Sequence, residues 1–126
     1  MKKISPSLED YLEAVLKLAD AANGVRTTDI ATELGVSKAS VNQAIGLLSE
    51  RGLVTQERYG PVYLTSSGRL RAHAIYRRHQ AIKAFLITIL GVDENTAEED
   101  ACSIEHVISK ETMARMVEYM EKGMDT

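Results

Sequence analysis

The chain has 126 residues, 44% hydrophobic and 26% charged, with one cysteine and a net charge of −3, enough for one domain or a small domain with an appended helical unit. No apolar run approaches the roughly 18 residues of a membrane span, residues 1–6 lack the apolar stretch of a signal peptide, and a lone Cys102 excludes an internal disulfide, so a reducing cytoplasm is expected. Charge is uneven: residues 1–24 carry net −1, residues 25–82 net +4 and residues 83–126 net −6, which suits a part that touches phosphates joined to a part that gathers cations.

Ser7 with Asp10 resembles a capping box, and Leu8, Tyr11, Leu12, Val15, Leu16 and Leu18 recur at helical spacing, predicting a first helix over about 7–22 that Asn23-Gly24 ends. A second helix is expected from Thr27 or Thr28 to Leu34, stopped by Gly35. Ser37 is placed to cap a third helix carrying Val41, Ala44, Ile45, Leu47 and Leu48, closed by Gly52. Helix, glycine turn and helix form the helix-turn-helix layout. Residues 53–58 and 62–65 then read as two strands around the turn Tyr59-Gly60-Pro61, a hairpin wing. A long helix is expected over 67–90, ended by Gly91. Thr96 with Glu99 reads as a second capping box opening a helix over 96–108, and Ser109 as the cap of a last helix ended by Gly123.

Within that layout the DNA-contacting candidates are Thr27, Ser37, Lys38, Ala39, Ser40 and Gln43, at the starts of the second and third helices, with Arg58 and Tyr59 at the wing tip. The N-terminal end of a recognition helix enters the major groove. Gln43 suits adenine, Ala39 a thymine methyl, and Lys38 a phosphate.

Cys102, Glu105 and His106 stand at positions i, i+3 and i+4, so on a helix they share one face over one turn. A thiol, a carboxylate and an imidazole at that spacing are candidate metal ligands; His79 and the i, i+3 pair Asp10 and Glu13 are further ones. Each residue also has a plainer reading: Cys102 as a small buried hydrophobe, Asp10 and Glu13 as partners of a helix dipole, His79 as a surface cation. Read together they predict a metal-sensing regulator. Such a donor set favours Fe²⁺, Co²⁺, Ni²⁺ or Zn²⁺ over Mn²⁺ in intrinsic affinity, while free-metal levels can override that order. The alternative is a metal-independent winged-helix transcription regulator. An enzyme pairing Cys102 with His106 or His79 is not expected, because no oxyanion-hole loop or glycine-rich pocket accompanies them.

Four segments carry a resemblance: residues 7–13 (SLEDYLE), 36–41 (VSKASV), 64–68 (LTSSG) and 105–109 (EHVIS). Together they make the chain similar to the diphtheria toxin repressor/manganese transport regulator family of metal-dependent bacterial repressors. The resemblance implies a mainly α protein: a winged helix-turn-helix over 1–70, then a helical metal-binding and dimerisation domain over 71–126. It implies a homodimer on a palindromic double-stranded operator, with no membrane and no small-molecule substrate. It also implies repression of metal-homeostasis genes when Fe²⁺ or Mn²⁺ is present. At Thr126 the chain stops short of the SH3-like domain of many iron-type members. Asp10 and Glu13 fall on the ligand positions of the first helix, His79 on that of the long helix, and Cys102, Glu105 and His106 on the triplet of the fifth. Metal is then expected to clamp the first helix against the fifth and fix the spacing of the two recognition helices. The set is a hybrid, with aspartate at 10 as in manganese-type members and cysteine at 102 as in iron-type ones. Lys83 stands where iron-type members carry an ancillary-site glutamate; a cation there argues against that site and leaves Lys83 to pair with Glu98 or Glu99.

Overall fold

Eight elements follow in chain order among the residues that the computed structural model describes, 6–19, 24–58 and 60–124. They are helices α1 (Leu8–Leu18), α2 (Thr27–Leu34) and α3 (Lys38–Glu50), strands β1 (Val54–Gln56) and β2 (Val62–Leu64), and helices α4 (Ser66–Thr88), α5 (Glu94–Ile104) and α6 (Lys110–Met124). The architecture is the mainly α one expected, a winged helix-turn-helix followed by helices. The chain divides into two compact units, Met1–Ala74 and Ile75–Thr126, and α4 contributes to both.

In the first unit the capping box is formed: the Ser7 hydroxyl accepts from the Asp10 amide, and Asp10 Oδ2 accepts from the Ser7 amide at 2.8 Å. Helix α1 ends earlier than the spacing predicted, because Ala19 turns extended (ψ 130°) and its amide closes back on Val15 and Leu16. Residues 20–23, including the expected stop at Asn23, lie outside the described residues, as does Tyr59. Helix α2 ends at Gly35, whose φ of 66° is a left-handed value that costs glycine little. Two residues on, the Ser37 hydroxyl accepts from the Ser40 amide and starts α3. The three helices pack on one another through Leu12, Val15, Ile30, Val41, Ile45 and Leu48, all nearly inaccessible.

The wing pairs Val54 with Leu64, Thr55 with Tyr63 and Gln56 with Val62, antiparallel. Val62 also exchanges both backbone hydrogen bonds with Val25, at 2.8 Å each. The wing is thereby tied to the segment between α1 and α2, a pairing that short-range periodicity does not reveal. Thr65 joins wing to helix: its hydroxyl donates to the Gly52 carbonyl at 2.7 Å and accepts from the Gly68 amide at 2.9 Å. Gly68 presses so closely on the Leu53 carbonyl that any Cβ would overlap it. That close approach is the physical reason for the glycine in the segment 64–68.

In the second unit Ile82, Leu86, Ala97 and Ala101 form the buried core, with Val92, Ile104, Ile108, Met113 and Met116 packed against it. Phe85 and Tyr119 meet edge to face, 6.2 Å between ring centres. Helix α5 starts at Asp93, whose carboxylate accepts from the Asn95 and Thr96 amides, so the cap is Asp93 and not Thr96. It also ends at Ile104, before Glu105 and His106. Ser109 caps α6 through the Thr112 amide, as expected, but the helix runs through Gly123 to Met124.

Candidate functional site

The second unit buries two polar side chains among the described residues, His79 on α4 and Glu105 at the end of α5. His79 sits among the apolar residues of α4, with Ile75 and Ile82 buried on either side of it in sequence. Its Nε2 lies 2.8 Å from Glu98 Oε2 and its Nδ1 lies 3.5 Å from Glu105 Oε2. Its Nε2–H donates to Glu98, and Nδ1, on the other side of the ring, faces Glu105. Lys83, four residues along α4, places Nζ 3.2 Å from the same Glu98 oxygen. Glu98, rather than Glu99, is therefore the partner of Lys83.

Glu105 is the helix C-cap. Its backbone is still helical (φ −59°, ψ −24°) and its amide still donates to the Ala101 carbonyl. That last helical step carries the carboxylate inward, and its side chain is wholly buried. His106 follows in the turn, with Nε2 3.4 Å from Glu105 Oε1. Each imidazole is thus within ion-pair distance of a different Glu105 oxygen. At 3.5 and 3.4 Å these contacts are long, and neither Glu105 oxygen has a short hydrogen bond. Buried polar atoms are nearly always closely hydrogen-bonded, and a buried carboxylate held only by long contacts is incompletely satisfied. These atoms converge as a carboxylate and two imidazoles, a donor set that fits a divalent transition-metal ion.

The six residues read from sequence as metal ligands are distributed differently from a single helical turn. Cys102 is exposed on α5 and forms a group with His79 and Glu98, each offering a ligand atom within 4.8 Å of the others. Glu105 and His106 lie beyond the helix end, with Glu105 shared between the two imidazoles. Asp10 is half-buried on α1 and spends one oxygen on the capping box, and Glu13 is half-buried one turn further on. Glu98 was not among the sequence-derived ligand candidates. Its signal was weak, a glutamate in an acidic stretch 19 residues from the histidine it meets.

Electrostatics in this group run strongly one way. The bond from Cys102, then that from Glu105, pushes His79 up to about 11; burial opposes the rise and Glu98 adds to it. Burial pushes the Glu98 carboxyl up, but its bond to His79 and the Lys83 ammonium beside it hold it below the usual carboxylate range. His79 is therefore an imidazolium at neutral pH, and an incoming cation must displace its proton.

On α3 the residues expected to read DNA all face solvent: Ser37, Lys38, Ala39, Ser40 and Gln43 are exposed. Asn42 and Gly46, which the sequence reading passed over, are exposed on the same helix. Thr27, at the first position of α2, is half-buried, and Arg58 in the wing is exposed. The opposite face carries Val41, Ala44, Ile45 and Leu48 into the core, so packing leaves a polar helix face free for a groove. No helix among the described residues is long and apolar enough to cross a membrane.

Comparison with known proteins matches both halves. Residues 3–62 match "Iron dependent repressor, N-terminal DNA binding domain", and residues 65–124 match "Iron dependent repressor, metal binding and dimerisation domain". An uncharacterized HTH-type transcriptional regulator of Methanocaldococcus jannaschii is 37% identical over 123 residues, 97% of this chain and 98% of the relative. A solved manganese-dependent transcriptional repressor in complex with manganese is 34% identical with a TM-score of 0.78, over 87% of this chain and 50% of that one. IdeR of T. acidophilum is 27% identical with a TM-score of 0.80, over 94% of this chain and 56% of that one. The chain spans about half the length of those two solved structures. The metal-independent alternative is not favoured by these matches. The chain belongs to the iron-dependent repressor family: it is a metal-responsive transcriptional repressor with a DNA-binding first half and a metal-binding, dimerising second half.

Proposed function

We propose that the protein is a cytoplasmic sensor of Fe²⁺ or Mn²⁺ that represses metal-homeostasis genes from a palindromic operator. Its ligands are Glu105, His106, His79 and Cys102, joined by Asp10 and Glu13 of α1. The observation that carries this reading is Glu105, fully buried and flanked by two imidazoles at 3.5 and 3.4 Å, with no short hydrogen bond to either oxygen. Support for Asp10 and Glu13 comes from their match to the family's helix 1 ligand positions. Thiolate and imidazole donors favour Fe²⁺ and later metals, while the carboxylates accept Mn²⁺; Co²⁺, Ni²⁺ and Zn²⁺ are expected to bind in vitro.

A divalent ion, when bound, would replace the His79 proton as the positive partner of the buried Glu105 carboxylate. Glu98 acts from outside, accepting from His79 Nε2 and so keeping Nδ1 turned toward Glu105. His106 and Cys102 add one neutral and one anionic donor. Asp10 and Glu13 lie on α1, which packs on the recognition helix α3, so their engagement links metal occupancy to the reader. Ser37, Lys38, Ala39, Ser40, Gln43 and Thr27 then contact operator bases and phosphates, with Arg58 and Tyr59 of the wing on the backbone. Linkage makes the effect reciprocal, about 1–3 kcal/mol or 5–150-fold in affinity.

The test is fluorescence anisotropy on an operator-length palindromic duplex at fixed salt. Fe²⁺ (anaerobic), Mn²⁺, Co²⁺ and Zn²⁺ are titrated against a chelator control. Metal is expected to tighten binding by 5–150-fold, and Glu105→Gln or His106→Ala to abolish that gain while the circular dichroism spectrum is retained. A full metal response in both variants would overturn the assignment.

A further inference from the structure

Gly46 is a glycine that the fold does not ask for. It is the ninth of the 13 residues of α3, inside the helix and exposed. Glycine is the poorest helix former after proline, because folding must remove its extra backbone freedom. Nearby glycines have visible reasons: Gly52 carries a φ of 73°, and Gly68 is pressed against the Leu53 carbonyl. Gly46 has helical backbone, and a Cβ built there would meet nothing within 4 Å. Among the described residues, neither a left-handed φ nor a close neighbour accounts for this glycine.

Its place on the helix points to the partner. Ala39, Gln43 and Gly46 follow at i, i+4 and i+7 and are all exposed, while Val41, Ala44, Ile45 and Leu48 face the core. Gly46 stands eight residues after Lys38, about 12 Å along the axis at 1.5 Å per residue. The major groove is about 12 Å wide. A helix whose start meets base edges inside the groove therefore carries Gly46 to the groove's rim, where the sugar–phosphate strand runs.

We propose that Gly46 is a positioning residue for DNA: its bare backbone lets the sugar–phosphate strand at the groove rim close against α3. This rests on the reading of α3 as the recognition helix. The missing side chain weakens the helix but shortens the distance of closest approach. Any side chain there holds the strand away and lifts the helix start from the base edges. The contact is one of shape and carries no sequence information.

The experiment compares full-length wild type, Gly46→Ala, Gly46→Leu and Lys38→Ala, with Mn²⁺ and with Co²⁺. Fluorescence anisotropy is read on two duplexes of about 30 bp, long enough for two half-sites. One is selected by the wild type from a random-sequence library, and the other is an unselected mixed sequence. Thermal melting reports the fold. Gly46→Ala is expected to melt about 4 °C higher than wild type and still bind both duplexes about 5-fold more weakly, with Gly46→Leu weaker by about 50-fold or more. Wild-type affinity in both Gly46 variants, with a loss in Lys38→Ala, overturns the proposal and leaves the recognition-helix reading intact. Wild-type affinity in all three variants overturns that reading as well. A lower melting temperature in Gly46→Ala would show that the fold itself requires the glycine, and a loss confined to the selected duplex would put a base at Gly46; either result overturns the groove-rim contact.

Discussion

The two units solve the same folding problem with different materials. Among the described residues, the buried side chains of the DNA-reading unit are all hydrophobic, whereas the second unit buries His79 and Glu105 beside its aliphatic core. An apolar core is complete as folded, because burial of Leu12, Ile30 and Ile45 needs no outside partner. A buried carboxylate held by long contacts to two imidazoles is different, because its pairing with the His79 imidazolium can be exchanged for pairing with a metal ion. The difference shows where responsiveness resides: the reader is built by packing, and the sensor is built around a buried charge pair that can exchange a proton for a metal ion.

That contrast is most severely tested in the core of the reader. Ile45→Ala removes a side chain that is 1% exposed and is expected to cost about 2–5 kcal/mol through lost burial and the cavity left behind. Denaturant unfolding should show the loss equally with and without metal. A destabilisation that metal restores in full would erase the distinction between the two kinds of core.

The sensor should show a pH signature that the reader lacks. His79 is raised from 6.5 to about 11 in the folded chain, so its favourable contribution is present below about 6.5 and is lost as pH rises toward about 11. The melting-temperature advantage of metal-free wild type over His79→Gln should therefore shrink across that window. Metal affinity should move oppositely, rising with pH by up to about tenfold per unit as proton competition weakens. A wild-type advantage that grows from pH 7 to pH 10 would contradict the imidazolium assignment.

A smaller effect belongs to the entry into the recognition helix. Ser37→Ala removes the acceptor for the Ser40 amide and is expected to cost about 1 kcal/mol. It should lower the melting temperature without changing the number of ions bound per subunit. A changed stoichiometry would mean that the cap contributes to the sensor as well as to the reader.

Much of the fold was legible because its cues are short-range. Ser7 with Asp10, Gly35, Ser37 and Gly91 act on amides and carbonyls a few residues away, so they mark helix ends in the sequence itself. The same reasoning failed at α5, where two caps competed. Asp93 took the amides that Thr96 was expected to serve, and the helix ended before Glu105. The i, i+3, i+4 triplet therefore does not lie on one helical turn, and Cys102 and Glu105 meet instead at His79. Cys102 went with His79 and Glu98, while Glu105 went between two histidines.

By itself the sequence determined a winged helix-turn-helix, a helical second half and a pool of metal-binding side chains. Local hydrogen bonding and hydrophobic period require no knowledge of distant residues. Only the tertiary structure decided which members of the pool meet. Packing of α4 against α5 brought His79 to Glu98 across 19 residues and set Lys83 on the same oxygen. It also buried Glu105 between two imidazoles, and that burial, which no spacing encodes, makes a common glutamate depend on a positive partner.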